Sequence, residues 1–462
     1  MRTYFLLSFL TAGLLCGAGC AAGNGEDDPC LANPQPGCPN YIDPCMANPQ
    51  PGCPNYVDPC ETDPQPGCPN YVDPDPALAN TITLGSVAYT VDSTYMEKLE
   101  DGFWYLYAQL KNANKPLVIH AVRFRCNTPG YTIEAWSGKD SINGKETPSA
   151  MVNRYAAAGR QVKVAINGGF YGMSTDGVPT GVEVVKGMMV CLGDVNQPSI
   201  GFDGNNKPYI DNLRFDAKVK SATGVERPIT TVNTTRWDNL LVLFNSAKGK
   251  RTGANQYGCE ALCAPKTGQW ETLDNHINVA CRVERIESHA GNMAIPKGKF
   301  VLSGHGTSDT YLSSNLRAGD DIAVTVDYTF PQSPGHNSAD VRNIVSGYNI
   351  VLKNNAVITP NSSQYTADEY AMLVSNNPRT SAGYSDDKKY VYFTVVEGRR
   401  TGVSVGVSTA QLGQIMQYLG ATDALNLDGG GSSCLTIGST AKNYLSDGSQ
   451  RAVCNGLAII KK

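Results

Sequence analysis

From about residue 80 the apolar residues gather in short runs of β-branched and aromatic side chains, bounded by Gly, Asn, Asp and Pro. The runs are Phe103 to Leu110, Leu117 to Phe124, Val162 to Ile166, Leu240 to Phe244, Ile322 to Tyr328 and Tyr390 to Val396. Their length and composition predict strands, and the residues between them predict turns. One segment breaks the pattern. Leu412, Ile415, Met416 and Leu419 fall at i, i+3, i+4 and i+7, which puts them on one face of a helix over 409–419. Ser408 with Gln411 supplies a capping box and Gly420 a stop. The expected fold class is α+β: a strand-rich mixed sheet core with a few helices and one βαβ-like unit near the C-terminus.

That unit runs from the Tyr390–Val396 strand through the helix to a second strand at 424–427. A βαβ unit sets its two strands parallel, so their carboxyl ends share one edge, where open sheets gather ligand groups. The first strand is followed by Glu397-Gly398-Arg399 and the second by Asp428-Gly429-Gly430-Gly431-Ser432-Ser433. A third strand, Val162 to Ile166, also ends in a glycine-bearing turn, Asn167-Gly168-Gly169-Phe170-Tyr171. Three strand ends of one character predict a shared pocket with two carboxylates facing it. The glycine run lets successive amides approach an anion, and Arg379 offers a fork-shaped donor for phosphate or carboxylate.

Composition narrows the classes. With 38 Lys+Arg against 42 Asp+Glu the formal charge is −4, so the broad basic field of a nucleic-acid binder is missing, and 5 His leave little for a histidine-rich metal centre. Charged residues are only 17%, while 47 Gly and 27 Pro favour turns and strands over long bundles.

The first 20 residues have the basic, apolar and small-residue zones of an export signal, ending Gly17-Ala18-Gly19-Cys20. Small residues before a Cys resemble a lipobox, so Cys20 is the expected lipidation site and the N-terminal lipid the only membrane attachment, as in an exported bacterial lipoprotein; the alternative is a plain cleaved signal. Residues 21–76 form a stalk of three 15-residue repeats, each carrying Pro-Gln-Pro-Gly-Cys-Pro-Asn-Tyr. Proline at four positions per copy excludes helix and central strand, and the Cys30/Cys38, Cys45/Cys53 and Cys60/Cys68 pairs predict one disulfide loop per copy. Seven further Cys lie in the expected domain, 77–462, so at least one thiol there is unpaired.

The segments Ile166 to Tyr171, Arg379-Thr380-Ser381-Ala382-Gly383, Val396-Glu397-Gly398-Arg399 and above all Asn426-Leu427-Asp428-Gly429-Gly430-Gly431-Ser432-Ser433 resemble the phosphodiester glycosidase family. Weaker similarity extends from about residue 85 to the end, through Leu302-Ser303-Gly304-His305-Gly306 and Ser446-Asp447-Gly448 with Arg451, and omits the stalk. The resemblance implies an exported hydrolase that cleaves the glycosidic bond of a sugar 1-phosphodiester, of the N-acetylglucosamine-1-phosphodiester kind, in a phosphoglycan. Two departures stand out. The family often has Asp where this chain has Glu397, and a glycine-rich stretch where it has Ser346-Gly347-Tyr348-Asn349-Ile350, so that wall of the pocket and its substrate are expected to differ.

On this reading Arg379, the amides of Gly429, Gly430 and Gly431, and Ser432 hold the phosphate, with Ser433 and Arg451 as further substrate-binding residues. Asp428 and Glu397 act as base, nucleophile or oxocarbenium stabiliser. Asn167 and Asn426 hydrogen-bond the sugar or orient a carboxylate, and Gly168, Gly169 and Thr380 are further substrate-binding residues. An alternative role for Asp428 is structural, ordering the glycine turn by accepting its amides. No cofactor is required, although Asp428 and Glu397 could hold Ca²⁺ or Mg²⁺. His305 is a further proton-carrier candidate, with a structural alternative. Two rival functions share these residues: a surface glycan-binding lipoprotein without turnover, and a phosphodiesterase that cuts a P–O bond.

Overall fold

The computed structural model describes residues 76–172, 177–289 and 291–462, together with positions 50, 53, 56–58 and 61 of the repeats. The export signal, Cys20 and the repeat cysteines other than Cys53 lie outside the described residues. Cys53 is disulfide-bonded, and its amide donates to the Gln50 carbonyl at 2.9 Å. The described residues from 76 onward belong to one compact unit.

The apolar runs fold as their composition dictates. Phe103–Lys111, Leu117–Arg125, Gln161–Asn167, Leu241–Phe244, Asp321–Thr329 and Tyr390–Val396 are all strands. They enter a nine-stranded, an eight-stranded and a five-stranded sheet, beside which a second five-stranded sheet forms from other segments. The nine-stranded sheet is the spine of the site. One of its faces packs on the helix Thr409–Tyr418, where Leu412, Ile415 and Met416 meet Trp104, Ile119, Tyr392 and Val396. Its other face packs on the five-stranded sheet that contains Gln161–Asn167, Leu435–Ile437 and Asn455–Lys461, through Phe124, Phe393, Leu425, Val164, Ile166 and Leu457. The eight-stranded sheet surrounds a separate core that includes Trp270, Phe300, Leu302 and Tyr328.

The helix has the capping box read from Ser408 and Gln411, and Gly420 follows it at φ +103°. Its flanking strands, Tyr390–Val396 and Asp423–Asn426, are not neighbours. Strand Arg379–Tyr384 lies between them and runs antiparallel to both, so the flanking pair run parallel to each other across it. The shared carboxyl edge therefore forms, but by a split unit. The expected mixed sheet is corrected accordingly: the described ladders are antiparallel, apart from the short parallel pairing of Thr231–Val232 with Leu241–Phe244. Insertion of the Arg379 strand also places its first residue at that same edge, since Arg379 is opposite Val396.

All seven cysteines outside the signal and repeats are buried free thiols, and burial raises their pKa. That suppresses the reactive thiolate. Among the described residues no helix is long and apolar enough to cross a membrane, which leaves strands unaddressed.

Candidate active site

At the shared edge a cavity of about 310 Å³ is lined by Phe170, Met372, Asn377, Arg379, Arg399, Asp428, Gly429, Gly430, Gly431 and Arg451. Asn167 builds one side of it without entering it. This residue is fully buried at the end of its strand, and its Nδ2 donates to the Asp428 carbonyl at 2.7 Å. Its Oδ1 accepts from the Thr380 hydroxyl at 2.8 Å and the Cys434 amide at 3.0 Å. One amide side chain thus ties three strand ends together and fixes where the Asp-Gly-Gly-Gly turn begins.

The glycines are required by space as well as by backbone conformation. Gly430 takes φ +60°, and a Cβ on Gly429 would meet the Pro378 carbonyl oxygen at 2.6 Å. The expected three-amide anion cradle is smaller than the sequence suggests. The Gly430 amide donates to the Pro378 carbonyl at 2.9 Å, and the Gly429 amide is hydrogen-bonded to the Asp428 carboxyl. Among the described residues this leaves the Gly431 amide as the one not already engaged.

Three guanidinium groups supply most of the cavity's charge. Arg379 is 2% exposed, yet its partners are carbonyls: Val407 at 3.0 Å from Nε, and Met372 and Ser375 at 2.7 and 3.0 Å from one terminal nitrogen. Two of these oxygens lie at the end of helix Ala367–Val374, whose negative dipole end suits a cation. Burial and the neighbouring Arg399 push the Arg379 pKa down to about 10, so it stays charged at neutral pH. Arg399 sits at φ +57° and donates to Asn377 Oδ1 at 3.0 Å. Among the described residues neither Arg379 nor Arg399 pairs with a carboxylate. Arg451 does, with Asp447 at 2.6 Å, and also reaches the Ser432 hydroxyl at 3.3 Å.

Asp428 is the one carboxylate lining this cavity. Burial pushes its pKa up to about 6, against the opposing pull of the Ser432 hydroxyl, Arg451 and the Gly429 amide. At neutral pH it is mostly ionised, next to guanidinium groups. The donor set does not fit a divalent cation, which needs several oxygens and would here meet one carboxylate among three cations. An anion fits it well.

The second expected carboxylate is elsewhere. Glu397 is 3% exposed, does not line the cavity, and accepts from His120 Nε2 at 2.9 Å and the Tyr444 amide at 2.7 Å. His120 Nδ1 meets the Tyr105 hydroxyl at 2.8 Å, and Arg400 lies 3.3 Å from the other Glu397 oxygen. Burial works to raise the Glu397 pKa, but these hydrogen bonds and charges outweigh it and hold the carboxyl below its usual range.

Several other expected contacts are consumed internally. The Gly168 amide donates to the Asn455 carbonyl and the Gly169 amide to Asn455 Oδ1, both at 2.8 Å. Thr380 and Asn426 are fully buried; Asn426 donates to Asn349 at 3.2 Å while its Oδ1 has no partner. The Ser433 hydroxyl is likewise buried without a partner. His305 pairs with Asp238 at 2.7 Å away from the cavity lining. Sequence reasoning missed Phe170, Met372, Asn377 and Arg399. Phe170, Asn377 and Arg399 sit inside or beside the glycine- and arginine-bearing motifs, whereas Met372 has no local signal.

Residues 276–460 match the model of the phosphodiester glycosidase family, a span that contains Arg379, Arg399, Asp428 and Arg451 but not Asn167 or Phe170. No curated protein matches the chain. A solved protein from Synechocystis shares 16% identity at a TM-score of 0.62, covering 81% of this chain, which in turn spans 65% of that one. A Burkholderia pseudomallei K96243 protein whose name marks it as exported shares 17% at a TM-score of 0.64, covering 84% of this chain and 100% of its own. The catalytic domain of zebrafish N-acetylglucosamine-1-phosphodiester alpha-N-acetylglucosaminidase, auto-inhibited by its pro-peptide, aligns at 12% identity and a TM-score of 0.40, over 81% of this chain and 89% of that one. The first two likenesses establish a shared fold. The family match covers residues 276–460, the stretch that holds Arg379, Arg399 and the Asp-Gly-Gly-Gly turn.

Proposed function

We propose that this protein is an exported hydrolase that cleaves the glycosidic bond of a sugar 1-phosphodiester in a phosphoglycan. The observation that carries the reading is a pair of arginines, Arg379 and Arg399, held close together without a carboxylate between them, facing one ionised aspartate across a cavity. Like charges brought together at one edge favour a bound anion, and a phosphodiester supplies one negative charge with forked oxygens.

In the reaction the bond between the anomeric carbon and the phosphate oxygen breaks, and its electron pair stays on that oxygen. The Arg379, Arg399 and Arg451 guanidinium groups and the Gly431 amide stabilise the developing charge. The departing phosphate monoester is already a stable anion, so a strong general acid is not needed. Asp428 is next to this bond as nucleophile or as base for water; the new carbon–oxygen bond comes from water, whose proton ends on solvent or phosphate. Cys20 lipidation, the disulfide stalk and export belong to the same proposal, supported by the N-terminal sequence, the bonded Cys53 and the exported character of the Burkholderia relative.

The test is incubation of the full chain with α- and β-linked sugar 1-phosphodiesters, following products by NMR with and without a chelator. Free sugar and phosphate monoester in equal amounts, undiminished by chelation, are expected. Tight binding without product across the panel would move the assignment to a glycan-binding protein.

A further inference from the structure

Phe170, the aromatic residue of the cavity lining, begins a row of rings that leads out of it. Its ring centroid is 5.1 Å from that of Tyr348, which is 6.3 Å from Tyr365 at an interplanar angle of 24°. All three are partly exposed. Tyr348 occupies the stretch in which the chain departs from the glycine-rich family pattern, and its amide donates to the Asn426 carbonyl at 2.9 Å, which anchors it beside the Asp428 strand.

The row is held rigid by the helix Ala367–Val374. The Tyr348 hydroxyl donates to Glu369 Oε1 at 2.6 Å, while Glu369 Oε2 accepts the Thr366 amide at 2.8 Å in a complete capping box. Three residues on, Met372 lines the cavity, so one helical face both clamps the ring row and closes the pocket. Rigid aromatics lose little conformational entropy on binding, and their faces suit a flat apolar surface with polar groups at its rim. A pyranose ring has that shape, with axial C–H bonds on its face and hydroxyls around its edge.

We infer that Phe170, Tyr348 and Tyr365 form a saccharide platform for the part of the substrate that continues beyond the phosphate. Three rings in a row exceed what one sugar covers, so the occupant is an oligosaccharide of two or more pyranoses. The inference rests on the proposed cleavage of a sugar 1-phosphodiester. It adds that these three rings bind the glycan side of the diester and read two or more of its sugars.

The test compares kcat/KM of the full chain on two diesters of one sugar 1-phosphate, one with a hexose trisaccharide as aglycone and one with methyl. The wild type is expected to favour the trisaccharide diester, and Tyr365→Ala and Tyr348→Leu each to reduce that preference by about ten-fold. An unchanged preference ratio in both variants, whatever the absolute loss, would mean that the rings only support the fold, and would overturn the platform. Tyr365→Ala guards against misfolding, since Tyr365 lies outside the buried core. If the wild type cleaves neither diester, the proposed reaction fails and the platform is judged by saturation-transfer NMR with the neutral trisaccharide. Transfer from aromatic protons that disappears in Tyr365→Ala supports it, and none in the wild type overturns it.

Discussion

Asp428 and Glu397 follow parallel strands that end at one edge of one sheet, yet they inhabit opposite environments. Asp428 looks into a cavity of arginines, and burial raises its pKa to about 6. Glu397 is buried, and His120, the Tyr444 amide and Arg400 together outweigh that burial and hold its pKa low. The difference teaches that strand ends locate a site, while the face each side chain takes decides who works in it. A carboxylate whose two oxygens both have partners supports structure; one that burial has raised beside arginines lacking a carboxylate partner is available for chemistry.

The largest expected effects come from breaking the working side. Asp428→Asn and Arg379→Ala should each lower kcat by about 10³-fold in turnover assays, as loss of a positioned charge does elsewhere. Arg379→Ala also strips donors from four carbonyls, so circular dichroism must accompany the kinetics. Next is pH: kcat/KM should fall about ten-fold per unit as pH drops below the Asp428 value of about 6, and the limb should vanish in Asp428→Asn. Arg399→Ala, at an exposed position, should raise KM by about ten-fold with a smaller change in kcat.

The smallest kinetic effect belongs to Glu397→Gln, within about three-fold per folded molecule, because it leaves the cavity lining intact. Its effect is on stability. A carboxyl with a depressed folded-state pKa contributes stability above its unfolded pKa and loses it as pH falls through the folded value. Asp428 has the opposite sign: its contribution is present below the unfolded pKa and lost as pH rises through about 6. Melting curves at pH 7 should therefore show Glu397→Gln less stable than wild type and Asp428→Asn more stable, with both differences shrinking toward pH 3.

Much of this was legible in the chain. The β-branched runs became strands because alternation and turn residues agree, and Ser408, Gln411 and Gly420 closed the helix where local hydrogen bonding requires. Convergence of the three glycine-bearing strand ends was also readable. The insertion of strand Arg379–Tyr384 was not, since long-range pairing leaves no local trace. Nor was the fate of Glu397, because its partner His120 lies 277 residues earlier. The glycine amides misled for a related reason: Pro378 and Asp428 take two of them, and only the folded turn shows it.

The most direct measurement of the central claim is hydrolysis of a sugar 1-phosphodiester by the full chain in water enriched in ¹⁸O, with Asp428→Asn beside it. The account predicts ¹⁸O on the anomeric carbon of the released sugar, none in the phosphate monoester, and almost no turnover by the variant. Label in the phosphate would contradict it, placing the cut at the P–O bond, and undiminished turnover by Asp428→Asn would remove the aspartate from the chemistry.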